Sequence, residues 1–240
     1  MSTFTVVKQI FAAGLIFVGG LELAGAADLF GSDVKPDNIF RASAFLPPDL
    51  KRVVVLPLAH DESRLDLSSG CETLGPVLQS ELIQTKRFEL VTVGPRELAT
   101  LTGGMSWTGT EDLPGTFFDS LKRVYGCDAI LFCQLTTYHP YAPLAIGWRM
   151  KLVNSYTQKI LWATDMVYDA GNAATAHDAQ LFQKRQQGEP EVPRKFFQRM
   201  TSWIYHEPAP ALEDQWTILN SPRYFGQYSL VKLLQTLPER

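Results

Sequence analysis

His60, Asp61 and Glu62 stand side by side just after the apolar run "RVVVLPLA" at 52–59. An imidazole next to two carboxylates can hold a metal ion or share acid–base work. The carboxyl end of a strand is also where open α/β sheets place their ligands. Yet neighbouring side chains in a loop splay apart, and acidic loop residues are ordinarily just solvated. A hydrolase site near His60 and Asp61 is therefore the runner-up reading. A phosphate cradle is excluded more firmly. The loop has no glycine before Gly70 and no lysine, and the chain contains neither G-x-x-x-x-G-K-[ST] nor G-x-G-x-x-G. It also lacks G-x-S-x-G, and no serine sits in a strand–turn–helix elbow. His139, His177 and His206 are dispersed. Glu111 and Asp112, near a helix start, suit a helix dipole. Asp128, at the beginning of a strand, reads as a capping or pairing group. No catalytic residue, cofactor or metal ligand is assigned.

Cysteine chemistry is sparse. Cys127 and Cys133 fall on one strand, six residues and about 20 Å apart, beyond disulfide reach. Cys71 precedes a helix, and if the strand holding Cys133 runs parallel to the first strand, the two emerge at the same end of the sheet, which makes a bridge between them conceivable. The alternative is that all three thiols are small buried hydrophobes.

The aromatic residues carry the other candidate chemistry, that of recognition. Tyr138, Tyr141 and Trp148 flank one loop, while Phe196, Phe197, Trp203 and Tyr205 crowd a later segment beside Arg194, Lys195 and Arg199. Phe196, Met200, Trp203 and Ile204 have the spacing of an apolar helical stripe, which reads as core packing. Trp, Tyr and Arg also concentrate at the centres of protein interfaces. Tyr138, Tyr141, Phe197 and Trp203 are accordingly the candidate interface residues.

These residues need a frame. The chain has 240 residues, is 45% hydrophobic and carries a net charge of −3. That supports one good core and offers no basic stripe for nucleic acid. At the N-terminus, Lys8 precedes the apolar run "IFAAGLIFVGG", which is too short to span a bilayer. Ala24-Gly25-Ala26 follows as a small-x-small cleavage pattern. Residues 1–26 read as a signal peptide cut after Ala26, with an uncleaved anchor as the alternative. Leu23-Ala24-Gly25 matches the start of a lipoprotein signal, but Ala26 stands where the lipid-bearing cysteine belongs. The expected location is periplasmic or outer-membrane-associated, with no membrane-spanning segment in the mature chain.

Residues 27–50 lack periodicity and form an extended lead-in. The domain at 51–171 reads as strand Arg52–Leu58, a helix, strand Phe88–Val93, the short helix "PRELATLTG", a helix over about Thr116–Tyr125, and strand Ala129–Thr136. Two more strands follow, "IGWRMKLV" and "KILWATDMVY". For the first helix, Ser69 and Glu72 mimic a capping box, but Pro76 would then lie too deep. Thr73 is preferred as its cap. The third helix presents Phe117, Leu121 and Val124 to the core. Ile146, Trp148, Met150 and Leu152 share one face, as do Ile160, Trp162, Thr164 and Met166. The fold class is α/β bordering on α+β. It has a mixed five-stranded sheet in the order β-α-β-α-α-β-β-β, three parallel strands followed by an antiparallel meander. Residues 172–240 form a helical extension packing on it.

The stretch "KRVVVLPLA…LGPVLQSELIQTKRFELVT…LKRVYGCDAILFCQLTTY…IGWRMKLVNSYTQKILWAT", about residues 52–168, resembles bacterial envelope proteins. The families are the curli-secretion-channel type and the related penicillin-binding-protein activator lipoproteins. "YGCDAIL" stands for their Gly-x-Asp-x-apolar strand, and "LVNSYTQKILW" for "LVDxxTGxxLW". Asn154 and Gln158 replace the usual Asp and Gly at turn positions. The loops are too short for membrane-spanning hairpins, whose strands need about 9–11 residues each. The resemblance implies a non-enzymatic accessory domain for envelope assembly or secretion. Its partners would be envelope proteins, or copies of itself as in a ring, and not nucleic acid.

Overall fold

A computed structural model describes residue 34, residues 36–187 and residues 217–240. The elements in chain order are β1 (Ile39–Arg41), β2 (Arg52–Val55), α1 (Leu65–Gln84), β3 (Glu89–Thr92), α2 (Pro95–Thr102) and α3 (Phe117–Tyr125). The chain continues through β4 (Ala129–His139), β5 (Ala145–Asn154), β6 (Ile160–Asp169), α4 (Ala173–Gln186) and α5 (Pro222–Leu234). The mixed α/β architecture expected from the sequence is present. β2 is parallel to both β3 and β4, and β4, β5 and β6 form the antiparallel meander. The sheet has six strands rather than five, in the order β1-β6-β5-β4-β2-β3. The extra strand is β1, inside the lead-in. Three residues carry no periodic signal; only pairing with β6 makes them a strand.

The branched residues of β2 serve two cores at once. Val53 and Val55 face one cluster and Val54 the other. That is how a strand covered on both faces reads in sequence. The larger cluster lies under α1 and α5, with Leu74, Leu78, Leu82, Phe225, Tyr228 and Leu233 packed on Trp148 and Trp162. The smaller one gathers Leu98 of α2 and Phe117 and Leu121 of α3 over Ile130 and Phe132 of β4. Phe117 stacks on Phe132 at 5.8 Å and meets Trp107 edge-on at 5.6 Å, geometries that add to plain area burial. Val124 is 52% exposed and does not join this cluster.

Two local expectations change. Helix α1 begins at Leu65, not at Thr73, and runs through Pro76. Thr73 Oγ1 bonds back to the Ser69 carbonyl inside the helix. Proline removes the N–H that would reach the Glu72 carbonyl. Pro76 and Glu72 both face solvent, where that carbonyl is open to hydration, while Leu67, Leu74, Val77 and Leu78 hold the helix from its other side. In β6, Trp162 and Thr164 are buried with Tyr168, but Ile160 is 38% exposed. A register shift between Leu152 and Val153 breaks the alternation there.

The β5–β6 turn explains the departures at Asn154 and Gln158. Asn154 Oδ1 accepts the N–H groups of Tyr156 and Thr157, at 2.9 and 2.8 Å. Gln158 has φ +56°, a left-handed conformation that glycine adopts without strain. The turn is intact, with a glutamine side chain at its left-handed position.

At Gly70 of α1, an added Cβ would lie 2.6 Å from Leu135 and 2.7 Å from the Tyr138 ring. The helix touches the sheet there with no room for a methyl group. Overpacking of this kind costs about 1–3 kcal/mol, more than the roughly 0.5–1 kcal/mol that alanine gains over glycine in a helix. Gly70→Ala is expected to lower the urea unfolding midpoint, contrary to helix propensity, in an equilibrium denaturation followed by circular dichroism.

Candidate interaction surface

The chemistry-bearing loop and the aromatic hairpin meet at one end of the sheet. Beyond Val55, Pro57 interrupts the ladder, and pairing with β4 resumes at Ala59, whose N–H reaches Cys133 and whose carbonyl accepts from Leu135. His60 thus leaves the sheet beside the second half of β4. β4 runs on to His139, and the five-residue connection 140–144 leads into β5. Because α1 returns antiparallel to β2, its exposed first residue, Leu65, lies at this same end.

The loop itself is internally satisfied. Asp61 Oδ1 accepts from the Ser63 hydroxyl at 2.7 Å and from its N–H at 3.0 Å. These bonds hold the Asp61 carboxyl below its ordinary range. Such a group stays ionised and is a poor proton donor. Arg64 is paired with Asp66. Glu62 is exposed. His60 contacts Cys71, with Nδ1 3.5 Å from Sγ.

The thiols are all free. Cys71 does not bridge to Cys133; its sulfur faces His60 instead. Burial pushes the Cys71 thiol up to about 11 and the Cys133 thiol up to about 12. Both rest protonated at neutral pH and are weak nucleophiles.

Of the four candidate interface residues, two are described. Tyr141 is 84% exposed in the connection that carries the cis Ala142–Pro143 bond. Tyr138 is only 4% exposed and is corrected to a core residue. A β-bulge between Leu135 and Thr137 reverses the strand's alternation. Leu135 and Tyr138, an odd number of positions apart, therefore both point onto Gly70. Trp148 is likewise fully buried, its indole N–H bonded to Ser229 Oγ at 2.8 Å. Phe197 and Trp203 lie outside the described residues, as do the signal-peptide residues 1–26.

Other acidic residues have structural roles. Asp128 Oδ2 accepts the N–H groups of Lys51 and Arg52, fixing the start of β2 to the start of β4. Glu111 closes its own loop onto Thr108 rather than a helix terminus. The described residues contain no group of three His, Cys, Asp or Glu side chains able to hold a metal. A cleft of about 550 Å³ beside β1 is lined by Val34, Pro36, Ile39, Arg41, Lys232, Gln235 and Thr236. Among the described residues its lining includes the Arg41 guanidinium, the Gln235 amide and the Thr236 hydroxyl, with Lys232 already paired to Asp178. No helix among the described residues is long and apolar enough to cross a membrane.

The class defined by these features is an open, mixed α/β sheet with helices on both faces and an exposed aromatic hairpin tip. No protein-family model matches the chain, and no curated protein matches it. Among solved structures it is similar to PelC of Paraburkholderia phytofirmans, crystallised as a dodecamer. The identity is 10% over 57% of this chain and 84% of that one, with a TM-score of 0.37. It is also similar to lipoprotein GNA1162 of Neisseria meningitidis, at 16% identity over 57% and 96% of the two chains and a TM-score of 0.35. The LpoB C-terminal domain of Escherichia coli is a third, at 17% identity over 49% and 82% and a TM-score of 0.32.

The burial pattern makes a direct chemical expectation. A denatured, unreduced sample will titrate three free thiols. In the native protein only the half-buried Cys71 reacts, slowly, with an alkylating reagent, because Cys127 and Cys133 are fully enclosed. Two thiols in the denatured count, or fewer, would mean that a disulfide exists.

Proposed function

We propose that this chain is a non-enzymatic, exported accessory domain of the bacterial cell envelope that works through protein–protein contacts. The observation that carries this reading is the contrast at the sheet's carboxyl end. The polar loop after β2 has its Asp61, Arg64 and Asp66 bonded to one another or to Ser63. Beside it, the β4–β5 hairpin holds Tyr141 out at 84% exposure. An aromatic held out on a hairpin tip is suited to filling a partner's pocket.

In this reading residues 1–26 are the export signal, 27–50 the lead-in, 51–171 the envelope domain and 172–240 its helical extension. The accessory-lipoprotein kind of envelope domain is favoured over a secretion channel. The five-residue β4–β5 connection is far shorter than the two strands of about 9–11 residues that a spanning hairpin requires. The partners are envelope proteins or further copies of this chain, with Tyr141, and Phe197 and Trp203 of the later segment, as contact residues. A hydrolase centred on His60 and Asp61 is disfavoured, because Asp61 accepts from Ser63 and His60 faces a thiol.

A photo-crosslinking side chain placed at Tyr141 tests the proposal in native cells, with one at exposed Ile83 of α1 as the comparison. Crosslinks to an envelope protein or to a second copy are expected from position 141 and not from position 83. Equal yields from both, or adducts only with cytoplasmic proteins, would overturn it.

A further inference from the structure

The end of the sheet opposite Tyr141 gathers cations that lie far apart in the sequence. It is built from the starts of β2, β3 and β4, the β5–β6 turn and the chain beyond α5. The ladders set these side by side, with Arg52 level with Glu89 and Ala129 level with Asn154. Arg41, at the end of β1, lies opposite Trp162 near the start of β6. The last residues close on the same end, because Arg87 donates to the carbonyls of Leu237 and Pro238, and Arg240 donates to that of Arg87. Arg41, Lys51, Lys86, Arg123, Lys159 and Arg240 are all exposed there. Among the described residues the carboxylates at this end are Asp49, Glu89, Asp128 and Glu239. Glu89 pairs with Arg52, and Asp128 holds the N–H groups of Lys51 and Arg52. At the Tyr141 end the balance is reversed, with Asp61, Glu62, Asp66 and Asp169 standing against Arg64.

Exposed rings accompany the cations. Phe45, in the stretch that crosses this end from β1 to β2, is 61% exposed, and Tyr156 of the β5–β6 turn is 65% exposed. Long basic side chains beside aromatic rings are the combination that settles at the headgroup level of a bilayer. The described chain also begins here. Val34 and Pro36 line a cleft together with Arg41, Gln235 and Thr236, and residues 1–33, with the apolar run at 10–20, precede them in the sequence. We propose that this basic end is a docking face for a bilayer surface carrying anionic phospholipid headgroups, with Arg41, Lys51, Lys86, Arg123, Lys159 and Arg240 as the phosphate contacts. Docked this way, the domain turns Tyr141 away from the membrane, toward a protein partner. The two surfaces are at opposite ends, so vesicle binding and crosslinking at position 141 can fail independently.

Co-sedimentation of the full chain with vesicles of about 30% phosphatidylglycerol in phosphatidylcholine tests the face. Binding is expected to these vesicles and not to phosphatidylcholine alone. It should fall steeply as NaCl rises to about 0.5 M, where screening acts within about 4 Å. Each Lys or Arg near an anionic surface raises affinity about fivefold. Lys159→Gln therefore weakens binding about fivefold, and Lys86→Gln combined with Lys159→Gln about 25-fold. Arg64→Gln, the same loss of charge at the Tyr141 end, leaves binding unchanged. Lys86 and Lys159 are exposed, and an unchanged circular dichroism spectrum checks that each variant is folded. No binding to the anionic vesicles would overturn the proposal. So would equal binding to neutral vesicles, as an apolar N-terminal segment alone would give, or an equal loss from Arg64→Gln and Lys159→Gln.

Discussion

Two buried indoles dictate most of this structure. Trp148 and Trp162 sit on neighbouring strands, both fully enclosed. A buried N–H left unbonded costs on the order of 1–3 kcal/mol, so each ring needs an acceptor delivered into the core. Helix α5 delivers Ser229 Oγ to Trp148 at 2.8 Å, and Thr236 Oγ1, just after the helix, reaches Trp162 at 3.1 Å. From Phe225 to Leu234 the helix is buried or half-buried at every position. Its one buried cation, Lys232, then calls for a counter-charge. Asp178 of α4 supplies it at 3.0 Å and also accepts from the Tyr228 hydroxyl at 2.8 Å. The indoles place α5, α5 carries Lys232, and Lys232 fixes Asp178 and with it α4.

The same logic separates framework from surface. Polar groups that could have converged on a reaction centre are used to tie elements together. Asp128 joins two strand starts, and Arg87 donates to the carbonyls of Leu237 and Pro238 at the C-terminal end. Among the exposed apolar side chains are Tyr141 on the hairpin tip and, at the β1–β6 edge of the sheet, Phe40 and Val167, each 52% exposed. Surfaces held at fixed positions suit the binding role proposed above.

The sequence revealed those features whose signal is local. The alternation in β5 and the Val/Leu run of β2 are each written in a few consecutive residues, and the strand directions follow from the lengths of the connections. What escaped depends on tertiary geometry. β1 exists only because β6 offers it an edge. Helix α1 runs past Pro76 because packing on its other side outweighs one missing hydrogen bond. Tyr138 looked like a surface aromatic because a bulge, invisible in the sequence, reverses the parity of β4. The approach of His60 to Cys71 was hidden for the same reason. It requires knowing that β2 resumes pairing at Ala59, opposite the helix turn that begins at Gly70.

Whether α5 is truly part of the sheet's core is measurable by native-state hydrogen exchange. The account predicts that the slowest amides of α5, around Tyr228–Leu233, open only with global unfolding, at the same free energy as the central amides of β4 and β5. Exchange of α5 at a distinctly lower free energy, with β4 and β5 still protected, would contradict it.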